Sequence, residues 1–317
     1  MILPLQGIRV LDLSRLLPGP YCSQMLADFG ADVVKVEDTE RGDYLRDFPP
    51  SGDRWSVLYD SVNRNKRSIR LDLKQAAGKD VFRALVRQYD VLLEGFRPGV
   101  MDKLGLGYES LRELNPRLIY CAITGYGQDG PYKFQGGHDI NCLSFAGITG
   151  LFGEQDGKPT IGDVQIADIG GGALMAVIGI LLALQARNVT GRGQFCDVAM
   201  MDGVVSWLPF ILARFGAGEK PVRGTGLLGG SYACYQVYPT ADARYVSLGA
   251  LEEKFWSCFC RLIGREEYIV RQMDLAAQPE MILSLQEMFR QQNQAYWIAF
   301  FAGQDICLSP VNDLAQV

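Results

Sequence analysis

Short apolar runs separated by helical stretches set the pattern of the first two thirds of the chain. Residues 8–13 (IRVLDL) are an apolar-rich run closed by Ser14 and predict a buried strand. Pro-Gly-Pro punctuation then opens a helical stretch that Gly30 ends, and VVKVE resumes as a strand. A strand–helix–strand unit of this kind predicts a parallel α/β sheet. The pattern repeats with a helix over 78–88, a buried strand in DVLLEG, a strand over 118–124, a long apolar helix, the strand FCDVAM and a helix over 202–215.

Polar interruptions carry as much information as the runs. Residues 35–50 are charged and irregular and include Arg41 and Arg46. The stretch NRNKRSIRLDLK places Arg64, Lys66, Arg67, Arg70 and Lys74 around a strand-like core. A solvated sheet edge and an anion site give the same pattern there. Arg97 ends a predicted strand just before Pro98 opens a helix, at the edge where open α/β sheets bind ligands and a helix N-terminus suits phosphate. The glycines around it do not form GxGxxG, so a dinucleotide fingerprint is missing.

The glycine-rich residues 216–230 predict a linker, and the texture changes after it. Strand-like alternation surrounds a turn at Ala241-Asp242-Ala243, and EEKFWSCFCRLIG and later segments read as helices, which predicts a second, smaller α+β domain. Residues 169–187 form the longest uncharged run, glycine-rich at its start and at the short end of a membrane span, and predict a buried central helix.

Composition narrows the function classes. With 317 residues, 48% of them hydrophobic and 21% charged, the chain can build a sizeable core. Its net charge of -5 argues against a general nucleic-acid or membrane-surface binder, so an anionic small ligand would need a local basic site. The eight cysteines show no CxxC spacing and the sole histidine leaves little for a zinc site; reduced thiols of an intracellular, cytoplasmic protein are expected. The N-terminus has no basic region followed by a long apolar one, so no secretory signal is expected.

Candidate chemistry concentrates in residues 136–172. His138, the only histidine, is followed at once by Asp139, and Asp168 opens the run DIGGGALMAVIGILLALQ. An acid, three glycines and an apolar stretch predict the start of a buried helix with Asp168 at or near the N-cap. The glycines would leave free N–H groups and the positive end of the helix facing a developing oxyanion. One imidazole, one carboxylate and backbone donors are the parts needed to remove a proton beside a carbonyl. Taken singly, Asp168 also fits a plain helix cap and His138 a turn residue.

The segments GIRVLDLSRLLPGPYCSQMLADFGADVVKVE, NRNKRSIRLDLK, EGFRPGVMDKLGLGYESL, ITGYGQDGPY, GGHDIN, the Asp168 helix with its TGRGQ exit, and YPTADARYVSLGALEEKFW together resemble the family III CoA-transferases (CaiB/BaiF), and within them the α-methylacyl-CoA racemase branch. The resemblance implies an α/β fold, with a large domain on a Rossmann-like, mostly parallel sheet plus a smaller α+β domain, in an interlocked homodimer. The corresponding divisions are 1–215 for the large CoA-binding domain, 216–230 for the linker, 231–310 for the small domain, and 311–317 for the start of a truncated return segment.

In transferases the acid at Asp168 resembles a nucleophile that forms covalent intermediates; in racemases it resembles an acid/base partner. Transferases commonly carry GYD where this chain reads Gly137-His138-Asp139, and GHD is the racemase pattern. Inversion beside a thioester needs a titratable group on each face, which His138 and Asp168 would supply. The resemblance adds Glu252 as a supporting acid near His138 and Asp139. It assigns CoA contacts to Leu71, Asp72, Leu73, Lys74, Gly95, Phe96, Arg97, Lys103, Gly137, Ile140, Asn141 and Cys142. Lys103 stands where arginine is frequent, and Asp38 stands where racemases can have an arginine, with Arg41 the nearest substitute. The expected function is racemisation of a 2-methyl (branched) acyl-CoA through an enolate. A CoA-transferase using Asp168 covalently, and a CoA-binding protein without turnover, are the alternatives. No tightly bound cofactor or metal is expected, CoA being part of the substrate, and no nucleic acid or membrane partner.

Overall fold

In a computed structural model that describes residues 2–53 and 56–317, the apolar runs become the strands of one parallel sheet. Strands β1 (Arg9–Asp12), β2 (Asp32–Glu37), β3 (Lys66–Arg70), β4 (Val91–Glu94), β5 (Ile119–Thr124) and β6 (Phe195–Ala199) pair in the order β3-β2-β1-β4-β5-β6. In register, Val10 of β1 stands between Val33 of β2 and Val91 of β4. This is the doubly wound Rossmann order, in which the direction of winding reverses between β1 and β4, and the expected parallel α/β architecture holds.

The sheet is covered on both faces because side chains alternate along each strand. Val10, Val33, Val91, Leu93, Cys121 and Ile123 pack with Cys22 and Leu26 of α1 (Pro18–Asp28). Beyond the short α2 (Val57–Ser61), α3 (Ala76–Val86), α4 (Val100–Leu104) and α5 (Tyr108–Leu114) cover the opposite face, where Leu11, Val34, Leu92, Tyr120 and Ala122 meet Phe82, Val86, Met101 and Leu111. Complete burial of a side chain of this size stabilises by ~1.5–3 kcal/mol.

α6 (Asp139–Phe145) follows the loop after β5, and α7 (Met175–Thr190) continues a π-type segment, Ala167–Leu174. Together, Ala167–Thr190 are long and apolar enough to cross a membrane by length and composition, and half of the most apolar window is buried. Ala176, Ile180 and Leu184 enter the core beside α1, whereas Ile178, Leu182 and Val189 are exposed. The helix expected over 202–215 is instead two, α8 (Met200–Val205) and α9 (Pro209–Gly216). Pro209 has no N–H to continue the first and restricts the residue before it. Likewise α4 starts at Val100 rather than at Pro98, because Gly99 turns the chain through φ +81° as its N-cap.

The chain divides into two compact units, one holding residues up to Thr149 with Ile161–Phe210, the other Gly150–Thr160 with Ile211–Val317. Residues 150–160 thus lie with the second unit although they precede position 215. There Arg223, in the stretch expected as a linker, donates to the carbonyls of Glu154 at 3.0 Å and Gly150 at 3.3 Å. The second unit contains an antiparallel sheet of β7 (Tyr235–Pro239), β8 (Tyr245–Gly249) and β9 (Leu308–Pro310). With α10 (Glu253–Leu262), α11 (Gln278–Phe289) and α12 (Gln294–Phe300) it closes an aromatic core around Tyr238, Trp256, Phe259, Phe289 and Trp297. This is the expected smaller α+β part, and Val311 N–H ties its terminal segment to the Tyr245 carbonyl at 3.0 Å.

Candidate active site

The loop after β5 ends at Gly136-Gly137 and delivers His138 as the N-cap of α6, in extended conformation. Its backbone N–H donates to Asn141 Oδ1 at 3.0 Å, and the imidazole is left exposed. Asp139, one residue on, is buried and turned toward the next helix. Its Oδ1 accepts the N–H groups of Ala167 at 2.5 Å and Asp168 at 3.0 Å. The N–H groups at the start of that helix are therefore capped by Asp139, from another element, and Asp168 lies inside the first turn rather than at the N-cap. Burial, and then the negative charge of Asp139, raise the Asp168 carboxyl to about 6, against the opposing charge of His138. His138 and Asp139 thus both act electrostatically on Asp168, within one unit.

The expected role of the glycines is corrected by the packing. Gly170, Gly171 and Gly172 are buried, and a Cβ on Gly171 would lie 2.4 Å from the Met200 carbonyl oxygen and 2.8 Å from Val204. A Cβ on Gly203 would in turn meet the Gly171 carbonyl oxygen at 2.2 Å. These glycines let the π-type turn press against α8; they are not bare backbone held out to a ligand. The N–H groups of Ala167 and Asp168 are taken by Asp139, and that of Ile169 by the Gln165 carbonyl at 3.0 Å. The first-turn donors expected to hold an oxyanion are thus already engaged.

At the carboxyl edge of the sheet a cavity of about 220 Å³ opens where β1, β2, β3 and β4 end. Leu71, Asp72, Leu73, Lys74 and Phe96, all expected CoA contacts, line it, with Leu13, Val36, Val100 and Leu104 as further apolar wall. Arg15, Glu37, Asp38 and Glu40 stand among the lining residues too. Gly95 passes beside Ser14 at the point where the winding reverses, where a Cβ on it would lie 3.7 Å from the serine Cβ. Arg97 is exposed, and its Nη2 would lie 3.0 Å from a Cβ on Gly136, which puts the guanidinium beside the loop leading to His138. Lys103 is exposed on α4 and is not among the residues of the cavity wall. Of the remaining expected contacts, Gly137 lies against the Tyr126 hydroxyl, Ile140 is exposed, and buried Cys142 places Sγ 3.6 Å from the Gly125 carbonyl. Glu252 is the N-cap of α10 in the second unit.

Most of the basic cluster is used internally. Lys66 points inward, donating to the Pro20 carbonyl at 2.7 Å and to Asn63 Oδ1 at 2.9 Å, and lies 3.4 Å from Asp12. Burial would raise the Asp12 carboxyl, but Lys35 and Lys66, with the hydroxyls of Ser14 and Ser23, hold it at about 2. Arg67 pairs with Asp32 at 2.6 Å and Arg64 with Asp28 at 2.5 Å, while Lys74 reaches Glu40 at 3.5 Å on the cavity rim. Arg46 forks onto Glu37 at 2.9 and 2.6 Å. Arg41, the nearest substitute for an arginine at position 38, pairs with exposed Asp47 at 3.3 Å. Asp38 itself accepts the backbone N–H groups of Glu40, Arg41 and Gly42 and pairs with Arg15 at 2.8 Å. All eight cysteines are free, with Cys307 the exposed one.

Arg15 and Glu94, the latter a buried acid behind Phe96, were not singled out by sequence reasoning. Their signal was positional: each sits at the carboxyl end of a strand flanking the reversal point.

Comparison with known proteins bears on the family and the fold. The sequence model of CoA-transferase family III matches residues 5–317. A human protein named alpha-methylacyl-CoA racemase is 39% identical over 316 residues, covering 99% of this chain and 79% of the relative. A mouse succinyl-CoA:glutarate CoA-transferase is 34% identical over 321 residues, covering 99% of this chain and 73% of its own length. Among solved structures, a CAIB/BAIF family protein from Brucella suis superposes with a TM-score of 0.88 at 34% identity, over 100% of this chain and 86% of that one.

Proposed function

The chain belongs to CoA-transferase family III, and from that premise we propose that it is an acyl-CoA racemase inverting the carbon alpha to the thioester of a 2-methyl (branched) acyl-CoA. The observation that carries this reading is the pair of unlike titratable groups, His138 and Asp168, close enough to interact electrostatically, with the carboxyl raised to about 6. A carboxyl at that value is matched to proton transfer near neutral pH. One group takes the alpha proton and the C–H electron pair moves into the enolate; the other returns a proton to the opposite face. Reversing the direction exchanges their roles. Asp139 keeps Asp168 in place through two backbone hydrogen bonds and adds to its basicity through like charge.

Leu71, Asp72, Leu73, Lys74, Phe96 and Arg97 are assigned to the CoA part of the substrate, and no separate cofactor is required. Glu252 is assigned as the supporting acid, and the working form as a cytoplasmic homodimer. The second reading is a CoA-transferase with Asp168 as nucleophile, favoured by the succinyl-CoA:glutarate CoA-transferase among the relatives. Incubation of a 2-methylacyl-CoA in D2O separates the two. The racemase incorporates deuterium at the alpha carbon with no added carboxylate. The transferase leaves the alpha proton in place and is trapped at Asp168 by hydroxylamine in the presence of acyl-CoA.

A further inference from the structure

Behind the turn that brings Phe96 to the cavity sits a carboxylic acid that none of these roles uses. Glu94 ends β4 at the ligand edge of the sheet, is 5% exposed, and accepts the N–H of Phe96 at 2.6 Å. The next residue, Arg97, rests beside Gly136 in the loop leading to His138. One carboxyl therefore fixes a turn that carries a cavity wall on one side and a basic head group on the other. The groups facing it are Asp102 on α4, Asp197 on β6, and the Tyr120 phenol and Cys121 thiol on β5, with the Phe96 N–H from its own turn. Among the described residues, the two charges that act on it are both negative.

We propose that Glu94 is a positioning residue for acyl-CoA binding: its buried carboxyl, through the Phe96 N–H, holds the turn of Phe96 and Arg97 in ligand-bearing geometry. The inference rests on the acyl-CoA reading and adds a pH dependence that arises outside the His138–Asp168 pair. Burial pushes the carboxyl up to about 8 in spite of the Phe96 N–H, with Asp102 and Asp197 adding to the rise, so near pH 7 it is uncharged. Above that value an anion stands directly behind the turn that meets the ligand. A unit charge ~10 Å from an anionic ligand, at an effective dielectric of about 20, weakens binding on the order of tenfold.

The test is titration calorimetry of acetyl-CoA, whose capped sulfur does not ionise, from pH 6.5 to 9.5 with the intact chain and with Glu94→Gln and Glu94→Ala. The wild-type Kd is expected to rise about tenfold with a midpoint near 8. Glu94→Gln, whose amide oxygen can still accept the Phe96 N–H, gives a Kd that does not follow this rise. Glu94→Ala binds about tenfold more weakly at pH 7, on the scale of a buried N–H left without its acceptor, and Glu94→Gln recovers most of that loss. Parallel pH profiles for wild type and Glu94→Gln, or wild-type affinity in Glu94→Ala, overturn the inference and leave the acyl-CoA reading standing. No acetyl-CoA binding by the wild type at any pH overturns both.

Discussion

Replacing Asp139 by Asn separates charge from hydrogen bonding at the start of the Ala167–Thr190 helix. The amide retains an oxygen able to accept the N–H groups of Ala167 and Asp168, now held at 2.5 and 3.0 Å. It removes the negative charge that adds to burial in raising Asp168 from 3.8 to about 6. Burial is the larger cause, so the charge supplies the smaller part of the upward push, on the order of 1 kcal/mol. Without the like charge Asp168 ionises more readily and its pKa falls. With Asp168 as the base in one direction, the acidic limb of kcat/KM for alpha-proton exchange moves to lower pH. Asp139→Ala instead leaves two N–H groups without an acceptor, each costing ~1–3 kcal/mol, and so loses the stability that Asn keeps. Proton NMR of a 2-methylacyl-CoA in D2O between pH 4.5 and 8, with thermal unfolding of each variant, reads both effects. An unmoved acidic limb in an Asp139→Asn enzyme that unfolds like the wild type would refute this electrostatic account.

Three further substitutions test the scaffold and its cost. Gly171→Ala places a Cβ 2.4 Å from the Met200 carbonyl oxygen, and overpacking against backbone should destabilise by ~2–3 kcal/mol in denaturant unfolding despite alanine's better helix propensity. Lys66→Met strips Asp12 of a buried cationic partner and should cost ~3–5 kcal/mol; a loss below about 1 kcal/mol would mean that the inward lysine is dispensable. Asp168→Asn should stabilise the protein, because the folded-state pKa of this carboxyl lies above its unfolded value. The cost of ionising it is absent below 3.8, grows through that window and is complete above about 6. After allowance for partial exposure the gain at pH 7.5 is ~1–2 kcal/mol, and it should vanish below pH 4. An equal gain at both pH values contradicts the assignment.

The strands were legible because a buried parallel strand is a short, nearly continuous apolar run, and 8–13, DVLLEG and 118–124 read that way without help from tertiary structure. Direction was not legible. Lys66 lies in a charged stretch that looks solvated from its neighbours, yet its ammonium turns inward to Asp12 because the β3 edge runs beside α1 residues. The three glycines after Asp168 look alike whether they face a ligand or a helix; only the approach of α8 decides, and that contact joins segments about thirty residues apart. Asp139 was assigned to the site for its place in GHD, while its hold on two N–H groups of a distant helix start has no trace in local sequence. The lone histidine and the acid before GGG stand out as candidates because each is rare in its setting.

On the proposed mechanism His138 and Asp168 serve opposite faces of one carbon. Single enantiomers of a 2-methylacyl-CoA, followed separately in D2O with His138→Ala and Asp168→Ala, test it most directly. Each variant is expected to fail to racemise, with His138→Ala losing deuterium uptake from one enantiomer and Asp168→Ala losing it from the other. Undiminished exchange of both enantiomers in either variant would contradict it.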